Sequence, residues 1–308
     1  MKLTVITPVF NGQRYIASTV SSILTSFAGK NFEYIVVDDG STDDTIKELE
    51  PFLTDILLIK QENLGQSAAV NAALRFASGQ LGLIVNADDP ITDPRLYEES
   101  VTKFKEDSEV VVTYPWWSII DENDLIIENI QQPIYSDYTM VGRGKCLMGP
   151  GTFFNLKVAK DIGGWNVNYK FMPDYEFWLR ITRQGKAIVI SEPLALWRQH
   201  SESTSVSGRG KRMSEERIKV TEDFLRMNKV DVSTRISAQV SAYMDALIFC
   251  IHESSLEKIN QLFRAVSKIP IIIFKPRFWI ILILYFSSNK IYLNVKKIRD
   301  RFVKSHKR

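Results

Sequence analysis

Two adjacent carboxylates, Asp88 and Asp89, closely follow an apolar run in the first third of the chain. The run covers residues 81–85 and contains branched residues, as expected of a strand buried on both faces of a parallel sheet. Pro90 prevents the strand from continuing. Carboxylates are costly at a buried strand end unless water or a cation meets them, so the pair could hold a divalent cation together with phosphate oxygens. A polar turn without a ligand is the alternative interpretation.

Two earlier apolar runs, at residues 3–7 and 33–37, are also followed by residues that could bind a nucleotide. Phe10 follows the first run, and its ring could stack on a base. Asp38 and Asp39 follow the second, and a carboxylate there can accept a hydrogen bond from a base or a ribose. The carboxyl ends of parallel strands meet at one edge of a sheet, where open α/β sheets bind ligands. Each residue by itself could equally belong to a core or a turn.

The elements that would position these residues alternate between strand and helix, which predicts a parallel or mixed sheet with helices on both faces. Ser41 and Asp44 form a capping-box pattern at the start of the second helix. Residues 121–148 lack periodicity and are expected to form long loops with room for one short strand. The predicted strands are 3–7, 33–37, 56–59, 81–85, 110–114, 150–154 and 187–190. The predicted helices are 13–27, 41–53, 66–77, 93–105, 174–184 and 233–254.

Six motifs, in their order and spacing, resemble those of the family 2 glycosyltransferases of the GT-A fold. They read TPVFNG, VVDDGSTDDT, NLGQSAAVNAAL, IVNADD, GGWN and PDYEFWLR. The resemblance implies a nucleotide-diphospho-sugar transferase domain, with a Rossmann-like mixed sheet, over residues 1–205 and a helical region over 206–308. It also implies an inverting, metal-dependent enzyme that moves a sugar from a nucleotide-sugar donor to an acceptor hydroxyl.

The resemblance carries family roles over to individual residues. Asn86 stands where the metal-binding Asp-x-Asp motif of the family begins, so it brings a hydrogen-bonding amide but no charge. The cofactor implied is a divalent metal, Mg²⁺ or Mn²⁺. The residues implied to hold the nucleotide are Pro8, Phe10, Asp38, Asp39, Asn86 and Ala87. Those implied to contact the metal are Asp88, Asp89 and His200.

Asp174 matches the family's general base, at the start of a predicted helix, with Pro173 in place of the usual glutamate. An inverting transfer needs one carboxylate that takes the proton of the acceptor hydroxyl as its oxygen attacks the anomeric carbon. Glu176 is the alternative base. Asp174 could also be a helix cap that interacts favourably with the helix dipole, and both roles could hold together.

Basic residues are concentrated at the C-terminus, although the net charge of the chain is only +3. Eight Lys and Arg residues follow Ser287, against Asp300 alone. They do not line a face, so nucleic acid is not expected as a partner, and an anionic membrane surface is. Residues 269–286 are apolar but interrupted by charges, whereas a membrane span needs about 20 apolar residues. This segment could lie in the membrane interface or pack as a core helix.

The chain has only two cysteines, far apart, and its N-terminus lacks the pattern of a signal peptide. We therefore expect a cytoplasmic protein, peripheral at the inner face of the plasma membrane. The Gln-x-x-Arg-Trp element and the transmembrane helices of processive relatives are missing from this sequence, which favours addition of a single sugar. The expected acceptor is a lipid-linked saccharide in cell-surface polysaccharide biosynthesis. The alternatives are a synthase that glycosylates polyprenyl phosphate and a nucleotide-binding scaffold without turnover.

Overall fold

The computed structural model describes residues 1–200, 210–252 and 254–286. The chain divides into two compact units with separate hydrophobic clusters. The first unit comprises Met1–Met140 and Lys145–Thr204, and the second comprises Val141–Gly144 and Ser205–Arg308. The expected domain boundary at residues 205–206 and the basic tail after Ser287 lie outside the described residues.

The described strands of the first unit form one mixed sheet, in the order β3-β2-β1-β4-β7-β5-β6, with β8 beside β5. Strands β3, β2, β1 and β4 are parallel, whereas β7 runs antiparallel to both β4 and β5. Strand β5 is antiparallel to β6 and parallel to β8. The predicted mixed α/β sheet is therefore confirmed. The strands are β1 Leu3–Val9, β2 Phe32–Asp38, β3 Leu57–Lys60, β4 Leu81–Ile84, β5 Val110–Ile120, β6 Ile126–Ile130, β7 Phe153–Asn155 and β8 Lys186–Arg198.

Helices cover both faces of the parallel part of the sheet. Leu3 and Val5 of β1 point to the same face and share a hydrophobic cluster with α1 and α4. Helix α3 also packs against β1 and β2 but contributes nothing to that cluster, so it covers the opposite face. The helices of the first unit are α1 Ile16–Ser26, α2 Thr45–Leu49, α3 Gln66–Phe76, α4 Arg95–Glu106, α5 Leu156–Asp161 and α6 Pro173–Ile181. The first unit also contains a 3₁₀ turn at Glu50–Phe52, and a π-helical turn at Tyr138–Gly142 begins in the first unit and ends in the second.

The capping box predicted at Ser41 is wrong. The Ser41 hydroxyl accepts a hydrogen bond from the backbone N–H of Asn11 at 2.9 Å, and α2 begins at Thr45 without a side-chain cap. The Thr45 hydroxyl likewise accepts from the N–H of Gly12 at 2.8 Å. Both hydroxyls connect the loop after β1 to the loop after β2. The Ser41 hydroxyl is therefore not available to cap a helix that begins at residue 41.

Three predicted strands have clearly different lengths in the structure. The strand predicted over 110–114 continues through Pro115 to Ile120 as β5. The run at 150–154 yields only β7, which is inserted between β4 and β5 and places the Phe154 ring directly over Gly82. A Cβ atom at Gly82 would lie 2.3 Å from that ring, so the close approach requires glycine. The last strand, predicted over 187–190, continues to Arg198 through a register shift near Pro193. A proline inside the run masked this continuation in the sequence.

The second unit is helical, which confirms the predicted helical region near the C-terminus. Asp231 caps α8 by accepting from the N–H of Thr234 at 2.9 Å, and Ser254 caps α9 in the same way through Glu257. The predicted helix at 233–254 ends earlier, at Phe249. The helices are α7 Lys211–Met227, α8 Val232–Phe249, α9 Ser255–Lys268 and α10 Pro276–Phe286, with 3₁₀ turns at Cys250–His252 and Pro270–Phe274.

Helix α10 has one buried and one exposed face. Phe278 and Ile281 pack in a cluster with Tyr243 and Leu247 of α8, so this face belongs to the core of the second unit. Trp279 and Ile283 are exposed. Across the described ranges, no helix is both long enough and apolar enough to cross a membrane.

The contact between Gly82 and Phe154 generates a prediction about stability. Gly82→Ala should lower the free energy of unfolding by about 1–3 kcal/mol, because the added methyl group overlaps the ring. Thermal unfolding of this variant and of the double variant Gly82→Ala/Phe154→Leu measures the effect. The smaller leucine side chain of the double variant should recover part of the loss. A single variant as stable as the parent would contradict the packing of β7 on β4.

Candidate active site

The turn that follows β4 is built around the buried carboxylate of Asp89, which is 2% exposed. One oxygen accepts the backbone N–H of Arg198 at 2.8 Å, and the other accepts the amide of Asn86 at 2.9 Å. Burial raises the pKa of Asp89 above its ordinary value, and the neighbouring Asp88 carboxylate raises it further. Asp89 thus fixes the turn from inside, and Asp88 is the carboxylate with access to solvent.

The structure brings His200 and Asp88 together. The Nε2 atom of His200 lies 2.9 Å from Oδ2 of Asp88, and the Tyr15 ring lies 5.0 Å from the imidazole. A carboxylate and an imidazole are both ligands of divalent metals. Among residues 1–200, 210–252 and 254–286, no three His, Cys, Asp or Glu side chains converge as a metal site. A cation at Asp88 and His200 would therefore need water and substrate oxygens as further ligands.

Arg198, to which the sequence assigned no role of its own beside His200, holds this arrangement in place. Its side chain is buried, and its Nε donates to the carbonyl of Asp88 at 2.9 Å. The guanidinium also pairs with Asp124 at 2.7 Å and lies over the Tyr15 ring at 4.8 Å. Because its own backbone N–H binds Asp89, Arg198 contacts both carboxylate residues of the turn. Its position two residues before His200 was the available signal in the sequence.

Asp39 has a structural role that the sequence did not reveal. Its carboxylate accepts three hydrogen bonds, from the side chain of Gln61 at 2.6 Å and from the N–H groups of Leu64 at 2.9 Å and Gly65 at 2.8 Å. Asp39 therefore fixes the loop between β3 and α3, which carries the NLGQ motif. Its buried neighbour Asp38 accepts the N–H of Ser41 at 3.1 Å.

The predicted nucleotide residues lie at one edge of the sheet, because β2, β1 and β4 are adjacent and parallel. Phe10 follows β1 and is 48% exposed, whereas Pro8 is buried in the strand. Asn86, also exposed, accepts a hydrogen bond from the side chain of Gln66 at 3.1 Å, and this bond joins the β4 turn to the start of α3. The Ala87 carbonyl accepts from the hydroxyl of Thr19 at 2.9 Å.

Helix α6 carries two carboxylates in different environments. Glu176 is buried and receives two hydrogen bonds, at 2.7 and 2.8 Å, from the guanidinium of Arg180. The Asp174 side chain reaches solvent, but the protein packed around its carboxylate removes part of its hydration and raises its pKa above the ordinary value. The thiol of Cys146 lies close to it: burial raises the thiol pKa well above its ordinary value, and the Asp174 charge raises it further. Of the two candidate bases, Glu176 is thus occupied by an ion pair.

Aromatic packing fixes α6 to the sheet. The rings of Phe177 and Trp178 lie 5.6 and 5.9 Å from Phe154 of β7, which is next to β4. The GGWN motif before α6 is bound to α3, since the Asn71 side chain exchanges two hydrogen bonds with the backbone of Trp165, at 2.7 and 2.8 Å. These contacts give the motif residues structural functions that their spacing alone did not indicate.

The contacts of Arg198 generate a prediction. Arg198→Met keeps most of the side-chain volume but removes the bonds to Asp88 and Asp124, so the free energy of unfolding should fall by about 1.5–3 kcal/mol. Asp124→Asn is the matched control, because Asp124 is exposed and its loss should cost under about 1 kcal/mol. Chemical denaturation measures both. Equal stability of Arg198→Met and the parent would show that Arg198 does not hold the turn.

The sequence is similar to those of known glycosyltransferases. A sequence model of the family described as "Glycosyl transferase family 2" matches residues 4–161. An uncharacterized glycosyltransferase from Haemophilus influenzae is 26% identical over 260 residues, which cover 78% of each chain.

Two solved structures have a similar fold. Staphylococcus aureus TarS (residues 1–349), in complex with UDP-GlcNAc, superposes with a TM-score of 0.60 at 18% identity over 85% of this chain and 89% of its own. The mannosyltransferase PcManGT from Pyrobaculum calidifontis, in complex with GDP-Man and Mn²⁺, gives a TM-score of 0.58 at 17% identity over 92% and 85%. The predicted GT-A fold is confirmed by these similarities. Since the family model also matches half of the chain, this protein belongs to glycosyl transferase family 2 and is a glycosyltransferase.

Proposed function

We propose that the protein is an inverting, metal-dependent transferase that moves one sugar from a nucleotide-sugar donor to an acceptor hydroxyl. The observation that carries this proposal is the pairing of Asp88 with His200 at the sheet edge that also presents Phe10. The pair offers ligands for a cation beside a ring on which a base can stack. The similar proteins TarS and PcManGT hold UDP-GlcNAc and GDP-Man, which supports a nucleoside-diphosphate sugar as the donor class.

The residues present fit a divalent metal. Asp88 offers an accessible carboxylate and His200 an imidazole, which together suit Mg²⁺ or Mn²⁺ when diphosphate and water oxygens complete the shell. When bound, the metal would neutralise charge on the departing diphosphate. Asp89, predicted as a further ligand, has one oxygen bonded to Arg198 of β8 and the other to Asn86 of the turn, so we assign it the support of Asp88.

The nucleotide is proposed to bind along the edge formed by β2, β1 and β4. The exposed Phe10 ring provides the stacking surface, and the exposed Asn86 amide provides a hydrogen-bonding group. Asp38 lies at the same edge and is proposed to accept a hydrogen bond from the base or ribose. Pro8, Asp39 and Ala87 support the site through the strand and loop contacts described above.

Asp174 is proposed as the general base. Its carboxylate removes the proton from the acceptor hydroxyl as that oxygen bonds to the anomeric carbon and the bond to the diphosphate breaks on the opposite face. A pKa raised by desolvation makes the carboxylate a better proton acceptor than an ordinary aspartate. Glu176 is held by Arg180 and is unsuited to this role.

The acceptor is proposed to be a saccharide linked to a lipid at the cytoplasmic face of the membrane, within surface-polysaccharide assembly. The sequence supports this through the basic tail after Ser287. A polyprenyl-phosphate acceptor would already be ionised and would need no base. Full activity of an Asp174→Asn variant on polyprenyl phosphate would therefore favour that reaction instead.

Asp174→Asn should reduce transfer by about 10²- to 10⁴-fold while leaving nucleotide affinity unchanged. In the parent, kcat/KM should fall as the pH is lowered through the pKa of Asp174, because protonation removes the base. Since that pKa is raised, the fall should occur at a higher pH than for an ordinary aspartate. Initial rates across a pH series measure both effects.

The Tm of the variant distinguishes loss of the base from unfolding. The folded state holds the Asp174 proton more tightly than the unfolded chain does, so an ionised Asp174 costs stability at neutral pH. Asp174→Asn should therefore match or exceed the parent in Tm at neutral pH. A variant that keeps the parental rate and pH profile would contradict the assignment of the base.

Asp88→Ala should abolish metal-stimulated donor cleavage with little change in Tm, because Asp88 lies at the surface of the turn. Asp89→Asn is the matched comparison, and it should lower Tm because both Asp89 oxygens accept N–H groups, so the new amide nitrogen would face a donor inside the protein. Nucleotide release with and without a chelator measures the first effect. Chelator-insensitive activity in the parent would rule out the metal role of Asp88.

A further inference from the structure

We infer that the exposed side of α10 and its preceding turn is a surface that inserts into the interface of an anionic bilayer. This surface, here called the apolar face, consists of Ile271, Phe274, Trp279, Ile280 and Ile283. The inference rests on the proposed function in one respect, since that function places the acceptor in a membrane. It goes further by naming the residues that make the contact.

The geometry of α10 separates its core contacts from its exposed ones. Phe278 and Ile281 are buried against α8, whereas Trp279 and Ile283, four residues apart, lie on the same exposed side of the helix. Trp279 is 54% and Ile283 is 65% exposed, and Phe274 in the adjoining turn is 78% exposed. Large apolar side chains that are more than half exposed to water favour transfer to an apolar medium.

The hydrogen bonding of Trp279 lowers the cost of such a transfer. Its indole N–H donates to the carbonyl of Ile273 at 2.8 Å, so its polar atom is already satisfied within the protein. The ring can therefore leave water without the cost of an unpaired donor. The Trp279 ring also lines one recess together with Phe274 and Pro276, which places the two exposed aromatic rings on one surface.

The dimensions of α10 favour a position within the interface plane. Over the described residues Pro276–Phe286 the helix has 11 residues and is about 16 Å long, roughly half the thickness of a bilayer core. Tryptophan is also the residue most typical of the membrane–water interface, together with tyrosine. An apolar face of this length can therefore enter the headgroup and upper acyl region.

Charge distinguishes a lipid surface from a second copy of the chain. Lys275 and Arg277 are exposed at the start of α10, where Arg277 also pairs with Asp245 at 3.4 Å. Eight basic residues follow the helix in sequence against Asp300 alone. A symmetric dimer through the apolar face would bring together the same basic surroundings from both copies. An anionic bilayer offers opposite charge at the headgroups and apolar chains below, so it complements both features.

The test is vesicle co-sedimentation of the full chain, with phosphatidylcholine vesicles that contain or lack phosphatidylglycerol. We expect binding to the anionic vesicles that weakens as salt rises. The double variant Trp279→Ser/Ile283→Ser should bind about tenfold more weakly, because it loses two side chains that would leave water. Leu125→Ser, which removes an exposed apolar residue of the first unit, is the matched control and should bind like the parent.

Trp279 provides a direct probe of insertion. All six tryptophans lie in the described residues, and Trp279 is the exposed one. Its fluorescence should shift to the blue and be quenched by lipids brominated in the acyl chain. In Trp279→Phe the quenching should disappear while binding persists, because phenylalanine is also apolar.

The inference is overturned if the parent ignores anionic vesicles, or if the double variant binds them as well as the parent does. It is equally overturned if the apolar face mediates self-association, seen as lipid-free dimers that the double variant abolishes. Donor hydrolysis in solution should be unchanged in the double variant. A parent chain that hydrolyses donor but does not bind anionic vesicles would refute the membrane surface alone, whereas a parent chain that binds vesicles but hydrolyses no donor would refute the proposed function alone.

Discussion

The buried carboxylate of Asp89 is the constraint on which the candidate site depends. An aspartate that is 2% exposed at the end of β4 must find hydrogen-bond donors within the protein. One donor, the Asn86 side chain, is local, but the other is the backbone of Arg198, 109 residues later. Strand β8 must therefore run the full length of β5 to deliver Arg198, and His200 then arrives beside Asp88. The long last strand thus fixes the position of the turn.

Helix α6 illustrates how one element gives two carboxylates different properties. Glu176 faces inward and is neutralised by Arg180, which also binds the carbonyls of Ile162 and Gly164. Asp174, two residues earlier, does not accept a hydrogen bond from Arg180. Desolvation raises its pKa. One carboxylate therefore stabilises the approach to the helix, and the other is available for proton transfer.

Local patterns in the sequence predicted the sheet, the strand-end residues and the family, because apolar periodicity and short motifs are local signals. They could not predict the contacts of Arg198, which depend on the meeting of distant strands. Ser41 was misassigned because its hydroxyl serves a neighbouring loop rather than its own helix. Glu176 and Arg180 are four residues apart in a predicted helix, so the sequence indicated an ion pair between them. That pair could have excluded Glu176 as a base. The two faces of α10 required knowledge of what packs against it.

The proposed inversion at the anomeric carbon is tested most directly by the anomer of the product. Slow hydrolysis of α-linked nucleotide-sugar donors with Mn²⁺ can be followed by NMR before the free sugar mutarotates. Water then takes the place of the acceptor hydroxyl, and the account predicts that the β anomer appears first. Initial release of the α anomer would contradict a single displacement with Asp174 as its base.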